Sequence, residues 1–457
     1  MTADATQLHD LGRSLLQEGR AAEAERALGQ AAALRTGAWD VLCDLGTAQL
    51  RQGNTQSAIA SFAAALAAKP DAALAHFNLA IALADIGAFA DAERAYRATL
   101  QYEPQLRPAI AALANLLCDL GQREEGLALF AQARALQPDD PLLDQAMALV
   151  ALRYGELRAG FTAYEARFHA TQFGLPVRPF TAPRWQGEDL SGRSILIWTE
   201  QGLGEEILSA SMFAEVAAKV GTCTIECSER LAPLLQRSLP RAKIIVRRDP
   251  PDTASFDFQV PALSLARVLR TYFTHFPKHA GYLKADPALV TRLRAKYRAR
   301  SGGKRIVGIS WESASRHGGR KRLPLELWRP ILDAPDVDFV SLQYGISPGS
   351  PYIAAADGKL FIDGEVNALE SLEASAAQVA AMDLVITVSN TTAHLAGAQN
   401  VPVWTLLTAG PGSFWYWFRN RSDSPWYPSM RLWRQTAPGD WAPVVQGVAR
   451  ALVEQNP

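Results

Sequence analysis

Two neighbouring carboxylates, Glu205 and Glu206, end a glycine-rich turn, Glu200-Gln-Gly-Leu-Gly-Glu-Glu206, that follows the apolar run Ser194–Trp198. A turn of this kind between a strand and a helix brings backbone amides and the positive helix end close to a ligand, and Gly202 and Gly204 leave room for that approach. A carboxylate there is suited to take a proton from an attacking hydroxyl. Charge pairing at the helix N-terminus is the plainer role for either glutamate. Two further segments suit an anion. Ser310-Trp-Glu-Ser313 runs into the basic stretch Ser315-Arg-His-Gly-Gly-Arg-Lys-Arg322, whose Arg316, Arg320 and Lys321 suit a diphosphate leaving group. Thr387–Ala396 follows a strand and opens a helix, so the hydroxyls of Thr391 and Thr392, the Asn390 amide and the helix amides converge where an anion would sit. His394 in the same segment suits either a phosphate contact or helix packing.

Composition narrows the chemistry these groups could do. Lys plus Arg and Asp plus Glu each number 46, so no excess charge calls for a nucleic-acid partner, and any basic site is local. Cys43, Cys118, Cys223 and Cys227 lack the spacing of a zinc site and read as reduced core thiols. The start MTADATQLHD lacks the basic and apolar stretches of a signal peptide, and no apolar run is long enough to span a bilayer, which predicts a cytoplasmic protein without a membrane span. At 457 residues the chain suggests two to four packing units.

The elements that would position the candidate residues are short β runs separated by helices. Strands are predicted at Ser194–Trp198, Cys223–Glu226, Lys243–Val246, Phe256–Val260, Ile306–Ser310, Phe339–Leu342, Leu384–Val388 and Val401–Leu406, with a helix over Ile207–Val220. The alternation implies parallel sheets in two clusters, 192–285 and 303–430, separated by a basic helical segment around Thr291–Arg300. Two doubly wound halves would face across a cleft, with ligands at the carboxyl ends of their strands. The aromatic run Phe414–Phe418, with Trp426 and Tyr427, reads mostly as core at the joint, with stacking on a sugar or base as its other use.

The first third repeats. Gly19, Gly53, Gly87, Gly121 and Gly155 recur every 34 residues, and Pro70, Pro104 and Pro138 keep the same step. Leu42, Leu45, Gly46, Ala58, Phe62 and Ala65 of one unit match His76, Leu79, Ala80, Ala92, Tyr96 and Thr99 of the next. The pattern resembles the tetratricopeptide repeat over residues 5 to about 168: a glycine turn between paired helices, and a groove that holds a peptide or a partner, or serves self-association.

Residues 172–190 read as an extended linker anchored by Trp185. Beyond it the chain resembles the heptosyltransferase-related glycosyltransferases of family 9 type, and more closely bacterial proteins in which that domain follows tetratricopeptide repeats, flagellin-modifying enzymes among them. The segments that carry the resemblance are Gln201–Ile207, Gly308–Glu312, Ser341–Gly345, Asp383–His394 and Ser424–Ser429.

The resemblance implies an α-helical solenoid (1–168), a linker (169–190) and an α/β GT-B enzyme made of two Rossmann-like domains facing a cleft. The acceptor domain would span 191–290 and the nucleotide-sugar donor domain 291–457. It implies Glu205 as general base where that family holds an aspartate, Glu206 as its rival, and Gln343 beside the nucleoside. Gly202, Gly204, Ser310, Trp311, Ser313, Arg316, Arg320, Lys321, Asn390, Thr391, Thr392 and His394 would then serve the donor. Where the family carries Asp-Thr-Gly, this chain has Ser389-Asn390-Thr391. The resemblance implies a metal-independent reaction, with a nucleotide-sugar as substrate and no cofactor. Its acceptor would be a protein hydroxyl, a flagellin within the flagellin-modifying group. Transfer to a lipopolysaccharide-type glycan and a non-catalytic adaptor role are the alternatives, and the oligomeric state stays open.

Overall fold

The computed structural model describes residues 4–170, 178–249, 255–313, 321–347, 349–350 and 356–454. Arg316 and Arg320 lie outside the described residues. The chain divides into two compact units, Met1–Ala146 and Met147–Pro457.

The first unit is a succession of paired helices, from Ala5–Gln17 and Ala21–Leu34 to Arg107–Leu120 and Arg123–Leu136, each packed on the next. The periodic glycines sit in the turns within pairs, where Gly19, Gly53, Gly87 and Gly121 take φ between 78° and 97°, a region that strains any residue with a Cβ. Pairs close through one small residue opposite one large one. A Cβ on Gly46 would stand 2.6 Å from Phe62 Cε1. Phe62 is fully buried, so Gly46→Val is expected to destabilise this unit by about 1–3 kcal/mol through overpacking. Chemical denaturation should show the loss as a lower midpoint for the first transition only.

The second unit begins inside the helix Pro141–Arg153, continues through Leu157–Ala163 and a 3₁₀ turn at Tyr164–Phe168, and then builds two parallel sheets. Leu152, Leu157, Phe161 and Tyr164 are buried in the same core as Ile195 and Ile197 of the first sheet. The terminal helix pair thus packs with the α/β region.

The first sheet holds β1 (Ser194–Trp198), β2 (Thr222–Cys227), β3 (Ala242–Val246) and β4 (Phe258–Pro261) in the order β3-β2-β1-β4. The second holds β5 (Arg305–Ser310), β6 (Val337–Ser341), β7 (Leu360–Phe361), β8 (Leu384–Val388), β9 (Val403–Leu407) and β10 (Met430–Arg434) in the order β10-β9-β8-β5-β6-β7. All pairings within the sheets are parallel. The order reverses at β1 in the first sheet and between β5 and β8 in the second, and such points open a crevice at the strands' carboxyl ends.

Linker residues extend the first sheet: Gln259 donates its amide to Pro183 and accepts from the Trp185 amide, at 3.0 and 2.9 Å. Trp185 is buried there, its indole nitrogen donating to Glu188 O at 2.9 Å. Cys223 and Cys227 are buried and unbridged, and burial pushes both thiols up to about 12. The single helix expected over Ile207–Val220 is instead two, Leu203–Ala210 and Phe213–Ala217. The first starts inside the glycine turn, with Gly202 at its N-cap and both glutamates in its first turn. Strands β7 and β10 are additions to the sequence-based set.

Candidate functional site

The carboxyl ends of both sheets meet at one cavity of about 330 Å³. The β1 turn contributes Gly202, Gly204 and Glu205, and the stretches beyond β5 and β6 contribute Ser313, Lys321 and Tyr344. The turn after β8 adds Ser389, Asn390, Thr391, Thr392 and His394, and the segment after β9 adds Phe414 and Tyr416. The helices Leu203–Ala210 and Thr391–Ala398, one from each half, pack against each other beneath it.

Glu205 is half-buried on the cavity wall. Burial pushes its carboxyl above the ordinary carboxylate range, opposed by a backbone hydrogen bond, the nearby Lys321 charge and a hydrogen bond with Tyr416. Lys321 is 3% exposed, and its Nζ lies 3.8 Å from the centre of the Phe414 ring. Burial lowers its ammonium to about 8 against the pull of Glu205. The pair therefore combines a proton acceptor raised above its usual range with a cation lowered below its own.

Glu206 points elsewhere. It is buried, accepts from Thr199 Oγ1 at 2.9 Å and Ser228 Oγ at 2.6 Å, and pairs with Arg247. These bonds tie together the ends of β1, β2 and β3, and Glu206 does not line the cavity.

Ser310, Gln343 and Asn390 form a buried knot between β5, β6 and β8. Gln343 Oε1 accepts from Ser310 Oγ (2.9 Å) and from the amides of Trp311 (3.0 Å) and Glu312 (3.1 Å). Asn390 Nδ2 donates to Ser310 Oγ at 2.8 Å and to Glu312 O at 3.1 Å. Its Oδ1 caps the following helix by accepting from the amides of Thr392 and Ala393. Two of the amides expected to face an anion are thus engaged by Asn390 itself, and among the described residues lining the cavity Thr391, Thr392, Lys321 and Arg230 carry groups that suit an anion. Trp311 is fully buried with Val307, Ile309 and Trp328 and does not line the cavity, nor do Ser310 and Gln343.

The aromatic segment divides. Trp415, Trp417 and Phe418 are core, while Phe414 and Tyr416 also face the cavity. Phe418 holds φ at 44°, a conformation that costs a bulky residue about 1–3 kcal/mol. Arg434 donates to the carbonyls of both Trp417 and Phe418, and the Trp417 indole donates to Ser389 Oγ at 2.8 Å.

A tetratricopeptide-repeat family profile matches residues 43–107. The N-terminal unit is built of tetratricopeptide repeats. Over 361 residues the chain is 32% identical to Protein FlbA of Caulobacter vibrioides, an alignment that takes in 73% of this chain and 59% of that protein. The chain therefore spans less than two thirds of this curated relative. Among solved structures, MamA from Desulfovibrio magneticus RS-1 is 21% identical, with a TM-score of 0.32, over 38% of this chain and 97% of that one. A thermophilic TPR protein of Thermus thermophilus is 21% identical, with a TM-score of 0.33, over 37% of this chain and 92% of that one. No helix among the described residues is long and apolar enough to cross a membrane.

Beyond the matched tetratricopeptide repeats, the terminal helix pair and its 3₁₀ turn buttress the glycine turn. Tyr164 accepts from Gln201 Nε2 at 2.8 Å, and buried Arg167 pairs with Glu200 at 2.8 Å. Neither contact carries a local motif. Arg230, Ser375 and Gln378, which also line the cavity, likewise follow from tertiary placement alone, whereas Tyr416 sits in a visible aromatic run.

Proposed function

We propose that the protein moves a glycosyl group from a nucleotide-sugar to a hydroxyl of a protein acceptor held by its tetratricopeptide repeats, on a C-terminal region of GT-B plan. The observation that carries this reading is the pairing of Glu205 and Lys321 across one cavity at the carboxyl ends of two parallel sheets. The Glu205 carboxylate takes the proton of the acceptor hydroxyl as its oxygen bonds to the anomeric carbon. The bond from that carbon to the phosphate oxygen breaks, and the electron pair leaves with the nucleotide. Lys321 and the hydroxyls of Thr391 and Thr392 meet the charge that develops there, without a metal ion. Ser or Thr is the acceptor class, with a flagellin as the candidate protein, and the cytoplasm is where both substrates would meet.

Removing residues 1–139 tests the docking role and leaves Tyr164 and Arg167 in place. The truncated chain is expected to retain donor hydrolysis while transfer to protein falls by about tenfold or more, since the acceptor loses its raised local concentration. Undiminished transfer to protein by the truncated chain would rule out docking by the repeats.

A further inference from the structure

The helix Leu372–Ala380 lends the cavity wall two polar side chains, Ser375 and Gln378, which stand one turn apart and are 8% and 5% exposed. The lining that accompanies them is apolar. Leu372 and Val379 come from the same helix, Leu342 from just past the end of β6, and Leu369 from the turn that leads into the helix.

The direction in which the Gln378 amide faces follows from the protons of its partners. Asp363 Oδ1 accepts from Lys296 Nζ at 2.9 Å and from the Glu365 amide at 3.0 Å. Burial would raise the Asp363 carboxyl, but these bonds hold it below the ordinary carboxylate range, so it is ionised and can only accept. Fully buried Tyr297 therefore donates its one proton to Asp363 Oδ2, at 2.8 Å. Its oxygen is left to accept, and the donor is Gln378 Nε2 at 3.1 Å, whose second proton faces the Ser341 carbonyl at 3.5 Å. A flipped amide would set Oε1 against a hydroxyl with no proton to give and against a second carbonyl oxygen. Both amide protons are thus committed to the core. Among the described residues none donates to Oε1, the edge that Gln378 turns to the cavity. Ser375 has the same polarity: its hydroxyl donates to Ser371 O at 3.1 Å, which leaves only lone pairs for a ligand.

We propose that Ser375 and Gln378 form the nucleobase-reading edge of the donor site, two acceptors in an apolar slot that take the amino group of adenine, cytosine or guanine and disfavour uracil. This rests on the nucleotide-sugar reading. The amino group of each of those three bases offers N–H donors, whereas uracil sets a carbonyl oxygen on either side of a single N–H, so one of its lone pairs meets an acceptor. The phosphates are the same whatever the base, and Lys321 and the threonine hydroxyls meet them alike. Gln343, which the resemblance sets beside the nucleoside, is tied into the knot with Ser310, and Gln378 takes that part.

Isothermal titration of the full-length protein with nucleoside diphosphates tests the edge without sugar or turnover. IDP is ADP with its amino group replaced by oxygen and GDP with its amino group removed, and UDP is CDP with its amino group replaced by oxygen. ADP or GDP against IDP, and CDP against UDP, therefore vary the amino group while the diphosphate stays constant. At least one amino-bearing nucleotide is expected to bind about tenfold or more tighter than its counterpart. Gln378→Met keeps the length of the side chain without its acceptor, and should narrow that ratio to within about threefold. It also leaves Tyr297 and the Ser341 carbonyl without their donor, so Ser375→Ala, which removes one hydroxyl alone, reads the ratio in a second chain and should lower it by about threefold.

UDP or IDP binding as tightly as its amino-bearing counterparts, or a ratio that both variants leave unchanged, overturns the edge while nucleotide binding stands. Binding by none of the five counts against the nucleotide-sugar reading and takes the edge with it.

Discussion

Glu205→Gln is expected to lower kcat by about 10²- to 10⁴-fold, the usual contribution of a positioned general base, while the donor still raises the melting temperature. Glutamine keeps the shape of the side chain and a hydrogen-bonding group for Tyr416, but it has no carboxylate to take the hydroxyl proton. Its neighbour supplies the control. Glu206 is held by Thr199, Ser228 and Arg247, so Glu206→Gln leaves Arg247 without its counter-charge and should act on stability. The contrast to measure is kcat against melting temperature for the two variants. If Glu206→Gln lost turnover and Glu205→Gln did not, the base would be misassigned.

Lys321→Met is expected to lower kcat/KM by about 100-fold or more, the scale on which loss of a charge-stabilising group is felt in a buried site. It should also reshape the pH profile. Glu205 must be ionised to act, and burial holds its carboxyl above the ordinary range, so the wild-type rate rises with pH through that raised value. Lys321 must be charged, and it loses its proton through about 8, so the rate falls again on the alkaline side. Methionine removes the alkaline limb. It also removes a positive charge that holds Glu205 down, so the acid limb moves to higher pH. Steady-state kinetics from pH 5 to 10 read both limbs, and an alkaline limb that persists in Lys321→Met would mean another group carries it.

The solenoid was legible because its geometry is written in single residues. A turn with φ near 80° requires glycine at every repeat, and a close helix pair requires a small residue opposite each large one, as Gly46 does Phe62. The strands β1, β2, β3, β4, β5, β6, β8 and β9 were legible as short apolar runs. β7 was not, because two paired residues make no pattern, and β10 was not, because Met-Arg-Leu-Trp-Arg on a sheet edge mixes charge into its apolar positions.

In the site, residues fixed by a local turn could be read from the chain, and Gly202, Gly204, Glu205, Lys321, Asn390, Thr391, Thr392 and His394 do come together. Gln343 and Ser310 could be placed near the strand ends but not oriented, since their inward turn depends on each other and on Asn390.

Donor binding at the cavity is read most directly from the melting temperature of the purified protein with UDP-, ADP-, GDP- and CMP-sugars, repeated on Lys321→Met and Glu205→Gln. One nucleotide class is expected to raise the melting temperature of the wild type and of Glu205→Gln, and to raise that of Lys321→Met much less. No rise with any of the four, or a rise that Lys321→Met leaves intact, would contradict it.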